Sequence, residues 1–185
     1  MNIAGQIYFS PSVLLCDLDL ENKEQVLKAF EERIRHYYLM PIAELNVAKY
    51  AFAAGALELL LIDALARYST GSTKKGDKRF ETWCQKYLRL DVVVSDKLYV
   101  NFRHGLLHEG HIKNLGQFSY DEDFQKPVAL VDDCIVVNPV RLQNSLEQYL
   151  EGFLVELNKD EKVYECFLKC MKKDFQKEIN KLRKL

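Results

Sequence analysis

Ala51-Phe52-Ala53-Ala54-Gly55-Ala56-Leu57-Glu58-Leu59-Leu60-Leu61-Ile62-Asp63-Ala64-Leu65-Ala66 is apolar on nearly every side of a helical repeat, interrupted chiefly by Glu58 and Asp63. A helix that is hydrophobic all round sits in the middle of a bundle, so this stretch sets the fold class as mainly α. Glu58 and Asp63 break its apolar runs, Leu59 to Ile62 among them, well short of the about 20 residues that span a membrane. Pro41 suits the first turn of this helix, which carries Ile42, Leu45, Phe52, Leu57, Leu61, Ala64 and Tyr68 toward the loop Ser69-Thr70-Gly71-Ser72.

Outward from this core, helical spacing recurs on both sides. Upstream, after an irregular start, Asn22 and Gln25 read as a capping box before Val26, Phe30, Ile34 and Tyr38. Downstream of a polar loop from Ser72 to Lys78, the residues Phe80, Trp83, Cys84, Tyr87 and Leu88 share one face of a third helix and read as core. Val92-Val93-Val94 reads as an extended link, Ser95 as the cap of a fourth helix, and Gly110 as its end. From Gly116 to Val137 the pattern changes: Gln117-Phe118-Ser119, Val128 to Val131 and Ile135 to Val137 are short β-type runs, predicting a small antiparallel sheet inserted at about 116–137. Asn138-Pro139 then opens a helix through Leu157, and a last helix repeats Val163, Phe167, Met171, Phe175, Ile179 and Leu182. The expectation is one domain over 1–185, a bundle of about five to six helices with a β insertion.

A net charge of -1 over 185 residues creates no global field for polyanions, so any nucleic-acid contact must be local. The five cysteines, Cys16, Cys84, Cys134, Cys166 and Cys170, form no C-x-x-C knuckle and read as reduced thiols. The start Met1 to Gln6 has neither a basic stretch nor an apolar core, so a soluble, cytoplasmic protein without membrane contact is expected. The lysines from Lys169 to Lys184 read as a solvated helix face, with an RNA-backbone patch as the alternative.

Chemistry concentrates in Phe102-Arg103-His104-Gly105-Leu106-Leu107-His108-Glu109-Gly110-His111, which holds three of the four histidines. On an α-helix Asn101, His104 and His108 would line one face and Leu98, Phe102 and Leu106 another, separating a polar face from an anchor. Arginine beside histidine at a helix end suits phosphate chemistry: guanidinium grips phosphate oxygens, and imidazole exchanges protons near neutral pH. The order His-Gly-Leu-Leu-His lacks the glutamate that follows the first histidine of H-E-x-x-H zinc sites, so no metal and no other cofactor is expected.

Arg103-His104-Gly105-Leu106-Leu107-His108 resembles the R-x4-6-H signature of the HEPN superfamily, helical bundles that include toxin, abortive-infection and CRISPR-associated ribonucleases. The polar residue after the arginine is commonly Asn in that family and is His104 here; Phe102 to Phe118, with Lys113 and Gly116-Gln117-Phe118, is similar to a subfamily of plasmid-borne bacterial proteins. The resemblance implies a metal-independent endoribonuclease of bacterial defence, such as phage defence, or of toxin-antitoxin type, with RNA as substrate and an antitoxin protein as a further partner. It implies His108 in proton transfer, Arg103 on the phosphoryl oxygens and His104 orienting one of them, with Glu58, Asn101 and His111 in support. Residues five apart on an α-helix diverge by about 140°, and HEPN motifs meet across a two-fold axis, so a homodimer with a composite active site is expected. The alternative is a catalytically silent HEPN bundle serving nucleotide binding or protein interaction. For the two core acids, Arg67 at i+4 gives Asp63 a local partner, whereas Glu58 has none and is expected to reach the fourth helix and brace Arg103.

Overall fold

The computed structural model describes residues 7–70 and 76–184. The readings made on 1–6, and on 71–75 of the polar loop, lie outside the described residues. The chain is mainly helical, with helices α1 (Lys23–Ile34), α2 (Met40–Val47), α3 (Ala51–Thr70), α4 (Gly76–Tyr87), α5 (Val92–Lys97), α6 (Pro139–Lys159) and α7 (Glu161–Leu182), and two π-helical segments, Arg35–Leu39 and Leu98–Glu109. As its all-round apolarity requires, α3 is central. It buries Ala54, Leu59, Leu61, Ile62, Leu65 and Ala66 and packs against α2, α4, α6, α7 and the second π-helix. Phe80, Trp83 and Cys84 of α4 are buried with it. No helix among the described residues is long and apolar enough to cross a membrane.

Five local expectations change. The helix expected from Pro41 to Tyr68 is two helices, because Lys49 adopts a left-handed φ of 58° and ends α2 with Tyr50 N–H donating to Leu45 O. Nor does a new helix begin at Pro41. The chain runs on from α1 through the π-helical turn Arg35–Leu39, where Met40 N–H bonds to Arg35 O, and the wider turn accommodates a proline that has no N–H to give. Val92 to Val94 are helical, not extended: Asp91 accepts a bond from Val94 N–H at 2.8 Å and outweighs the β preference of three valines. Ser95, the expected cap, sits inside the helix, its hydroxyl held by Asp91 O and Val92 O. The irregular start contains a hairpin of β1 (Tyr8–Ser10) and β2 (Val13–Leu14), antiparallel.

In the insertion, β4 (Val128–Val131) and β5 (Cys134–Val137) form the expected antiparallel hairpin. Its two-residue turn, Asp132-Asp133, has φ of 45° and 66°, the twist that suits a tight hairpin. The first strand, β3 (Gln117–Phe118), differs from expectation by pairing parallel to β5. A long excursion carries the chain across before β4 starts, so the order is β3-β5-β4, with β5 in the middle. Phe118 of β3 packs edge-on to Phe102 at 5.2 Å between ring centres, fixing the sheet against the motif helix. Asn138 caps α6 at Arg141 N–H, as its position before Pro139 predicts.

Candidate active site

The motif helix continues from α5 without a break, and from Leu98 it is π-helical as far as Glu109. A helix bonded over five residues has roughly 4.4 residues per turn, so positions five apart fall about 50° apart and not the about 140° of an α-helix. Arg103 and His108 therefore share a face, and Arg103 Nη1 donates to His108 Nε2 across 2.8 Å. The expected divergence of about 140° rested on α-helical geometry, and the π-helix replaces it. Guanidinium has donors only, so in this contact His108 Nε2 is the unprotonated nitrogen and the ring proton sits on Nδ1.

The anchor face holds as expected, with Leu98 and Phe102 fully buried and Leu106 packed against the core. The polar face does not. Asn101 turns inward, where its Oδ1 accepts from Asn114 Nδ2 at 2.9 Å and its carbonyl from Lys113 N–H at 3.1 Å. It clamps the loop that returns after Gly110, while His104 alone joins His108, with ring centres 4.9 Å apart. His104 Nδ1 lies 3.4 Å from Glu109 Oε1, an electrostatic contact without hydrogen-bond geometry. Lys113 holds the Glu109 carboxyl below its ordinary pKa, helped by His104 and His111, which keeps a negative charge beside the histidines. His111 stands past the helix end and bonds through Nδ1 to Glu109 O, at the rim and away from the Arg103–His108 pair.

Two glycines shape this end of the helix. Gly110 takes a left-handed φ of 74° and its N–H bonds back to Gly105 O. A Cβ on Gly105 would stand 2.5 Å from the His111 carbonyl oxygen and 3.5 Å from Lys113 N, both backbone atoms. Gly105→Ala is therefore expected to push the returning loop off the helix and cost about 1–3 kcal/mol, measured by denaturant unfolding, whereas Gly152→Ala, with open space around it, should cost nothing comparable.

The brace of Arg103 is Asp63, not Glu58. Arg103 Nε donates to Asp63 Oδ2 at 2.7 Å and Nη2 lies equally close. The guanidinium carbon is 5.5 Å from the centre of the Tyr99 ring. The two side chains are 21% and 17% exposed, enough burial to fix the arginine more firmly than a surface pair would. Arg67, the expected partner of Asp63, instead binds Asp174 of α7, with Nε donating to Oδ2 at 2.8 Å. The available signal was a second acid on an apolar helix, but a cation at i+4 satisfied it on paper. Only the packing of α3 between the π-helix and α7 separates that pair.

Glu58 is fully buried, and neither carboxyl oxygen has a hydrogen-bond partner among the described residues. Burial pushes its carboxyl well above the ordinary value of 4.5 and outweighs the nearby Asn46 amide, which acts in the opposite direction. A carboxyl raised in the folded state keeps its proton where the unfolded chain has lost it, so stability falls as pH rises from about 4.5 through the raised value. Glu58→Gln should remove that decline. Thermal unfolding from about pH 5 to 8 is expected to show the variant gaining on the wild type as pH rises; parallel curves would contradict this.

Among the described residues no group of three or more His, Cys, Asp or Glu is placed to hold a metal ion. Their cysteines are all free. Two cations of α7 and its C-terminal cap serve structure: Lys172 pairs with Glu21, and Arg183 donates to the carbonyls of Cys16 and Leu18.

No protein-family model, curated protein or solved structure matches this chain. The site is accordingly defined by its own geometry: an arginine held on one side by a carboxylate and facing a neutral histidine on the other, with a second histidine alongside. Such a set can bind a phosphodiester and move one proton.

Proposed function

We propose that this chain is a HEPN-type, metal-independent endoribonuclease acting in bacterial defence or as a toxin. The single observation that carries the reading is the 2.8 Å contact between Arg103 and His108 on a π-helix, with Asp63 behind the arginine. Asp63 occupies Nε and Nη2, which leaves Nη1 to exchange His108 for a phosphoryl oxygen. That exchange frees His108 Nε2 to take the proton of a ribose 2′-hydroxyl. The 2′-oxygen then attacks the adjacent phosphorus and the bond to the 5′-oxygen breaks, giving a 2′,3′-cyclic phosphate and a 5′-hydroxyl. Arg103 neutralises charge developing on the phosphoryl oxygens, and His104 orients one of them.

A homodimer remains part of the proposal, on different grounds from helix geometry. Phe52 and Leu60, 56% and 39% exposed, lie on the outer side of α3, the helix that carries Asp63. Pairing two chains over this face would set two Arg103–His108 pairs beside each other, so that one His108 takes the 2′-hydroxyl proton while the other, in its protonated form and turned from its arginine, gives a proton to the leaving 5′-oxygen. An antitoxin protein would silence the site by covering the same face. Purified protein incubated with single-stranded RNA in EDTA should cleave it and should sediment as a dimer. Binding of nucleotides without cleavage of any RNA would replace the ribonuclease with the silent bundle.

A further inference from the structure

The β4 strand is an edge with nothing hydrogen-bonded to its outer side among the described residues. Asn138 N–H donates to Pro127 O at 2.9 Å, which makes 127/138 a bonded pair in the antiparallel register. By the alternation of such ladders, Ala129 and Val131 also turn their main-chain groups toward β5, while Val128 and Leu130 turn theirs away. Those outward groups face a groove of about 410 Å³ lined by Lys126 to Leu130 on one side and by Leu88 to Asp91 and Val94 on the other. Leu130, 39% exposed, and the half-buried Leu90 and Pro127 supply apolar surface, over a floor of the buried Leu88, Val94 and Val128.

The charges at the rim are Arg89, Lys126 and Asp91. Asp91 is spent as the cap of α5 through Val94 N–H. No ion pair forms on Arg89 or Lys126 among the described residues, so the groove presents two free cations. An edge strand of this kind accepts an added strand, its main chain giving affinity and its pockets giving selectivity.

We infer that this groove docks an extended, acidic segment of a partner protein, which adds as a strand beside β4. Alternate apolar side chains of the segment would pack on Leu90, Pro127 and Leu130, and its carboxylates would meet Arg89 and Lys126. The inference is independent of the ribonuclease reading, because the groove shares no residue with Arg103, His108 or Asp63.

A display library of random peptides of about nine residues, close to the upper length of a strand, tests it against the full chain. Selected peptides should be acidic and β-prone. Their affinity should fall by about tenfold or more, a loss of about 1.4 kcal/mol, in Arg89→Glu/Lys126→Glu and in Leu130→Pro. The proline deletes an outward N–H and leaves the β5 ladder its bonds. Amide exchange on the wild type should slow at Leu130 when a selected peptide is bound, a readout that stands even if the proline variant unfolds. Peptides without acidic bias, or binding that both variants retain, would overturn the inference. So would displacement of the peptides by single-stranded RNA from a site mapped elsewhere.

Discussion

Arg103→Ala and His108→Ala are each expected to lower RNA cleavage by about 10²–10⁴-fold. Their causes differ, and so should their signatures. Without Arg103 the phosphoryl oxygens lose a donor that is charged at every working pH, and Arg103→Lys should recover little, because an ammonium cannot face Asp63 and phosphate at once in a fixed plane. Without His108 the 2′-hydroxyl loses the base that takes its proton, and His108→Gln, which keeps a polar side chain but no base, should recover little. His108 is exposed, so its replacement should leave thermal unfolding nearly unchanged. Activity lost together with the fold would not count toward the mechanism. Activity retained in either variant would remove the pair from the site.

Asp63→Ala carries the second large effect, expected at roughly 10–100-fold in activity, since a misplacement of about 1 Å at a reacting group has that order of cost. The carboxylate touches no substrate in this scheme. It fixes the plane of the guanidinium through Nε and Nη2, so losing it lets Arg103 swing about its chain and follow His108 or solvent. Asp63→Asn, which keeps one acceptor, should fall between alanine and wild type. Stability should also drop, by about 1–3 kcal/mol, because the arginine is left partly buried and unpaired. Equal activity in Asp63→Ala and wild type at matched stability would leave the aspartate as ordinary core satisfaction.

These residues were legible from sequence to different degrees, for physical reasons. The bundle was readable because α3 is apolar through all its turns, and α6 and α7 because their apolar positions recur at helical spacing behind Asn138 and Asp160, which cap them. Arg103, His104 and His108 were readable as residue types in a short pattern. Their mutual geometry was not, because an i→i+5 ladder is set by how Leu98, Phe102 and the returning loop pack, and periodicity cannot register it in advance. Asn101 was misplaced for the same cause: a face drawn for an α-helix puts it beside His104, whereas the wider helix turns it into the core. Asp63 and Glu58 exchanged roles because local spacing favours Arg67, and the decisive partner, Asp174, lies on α7 far along the chain. The β-type run at Gln117 to Ser119 was legible, but its parallel pairing with β5 was not, because a two-residue strand carries no signal of the direction in which it pairs.

Mass analysis of the RNA ends left in EDTA tests the central claim most directly. The account predicts 2′,3′-cyclic phosphate and 5′-hydroxyl termini from the wild type, absent from Arg103→Ala and His108→Ala alike. A requirement for added metal, or products ending in 3′-hydroxyl and 5′-phosphate, would contradict it.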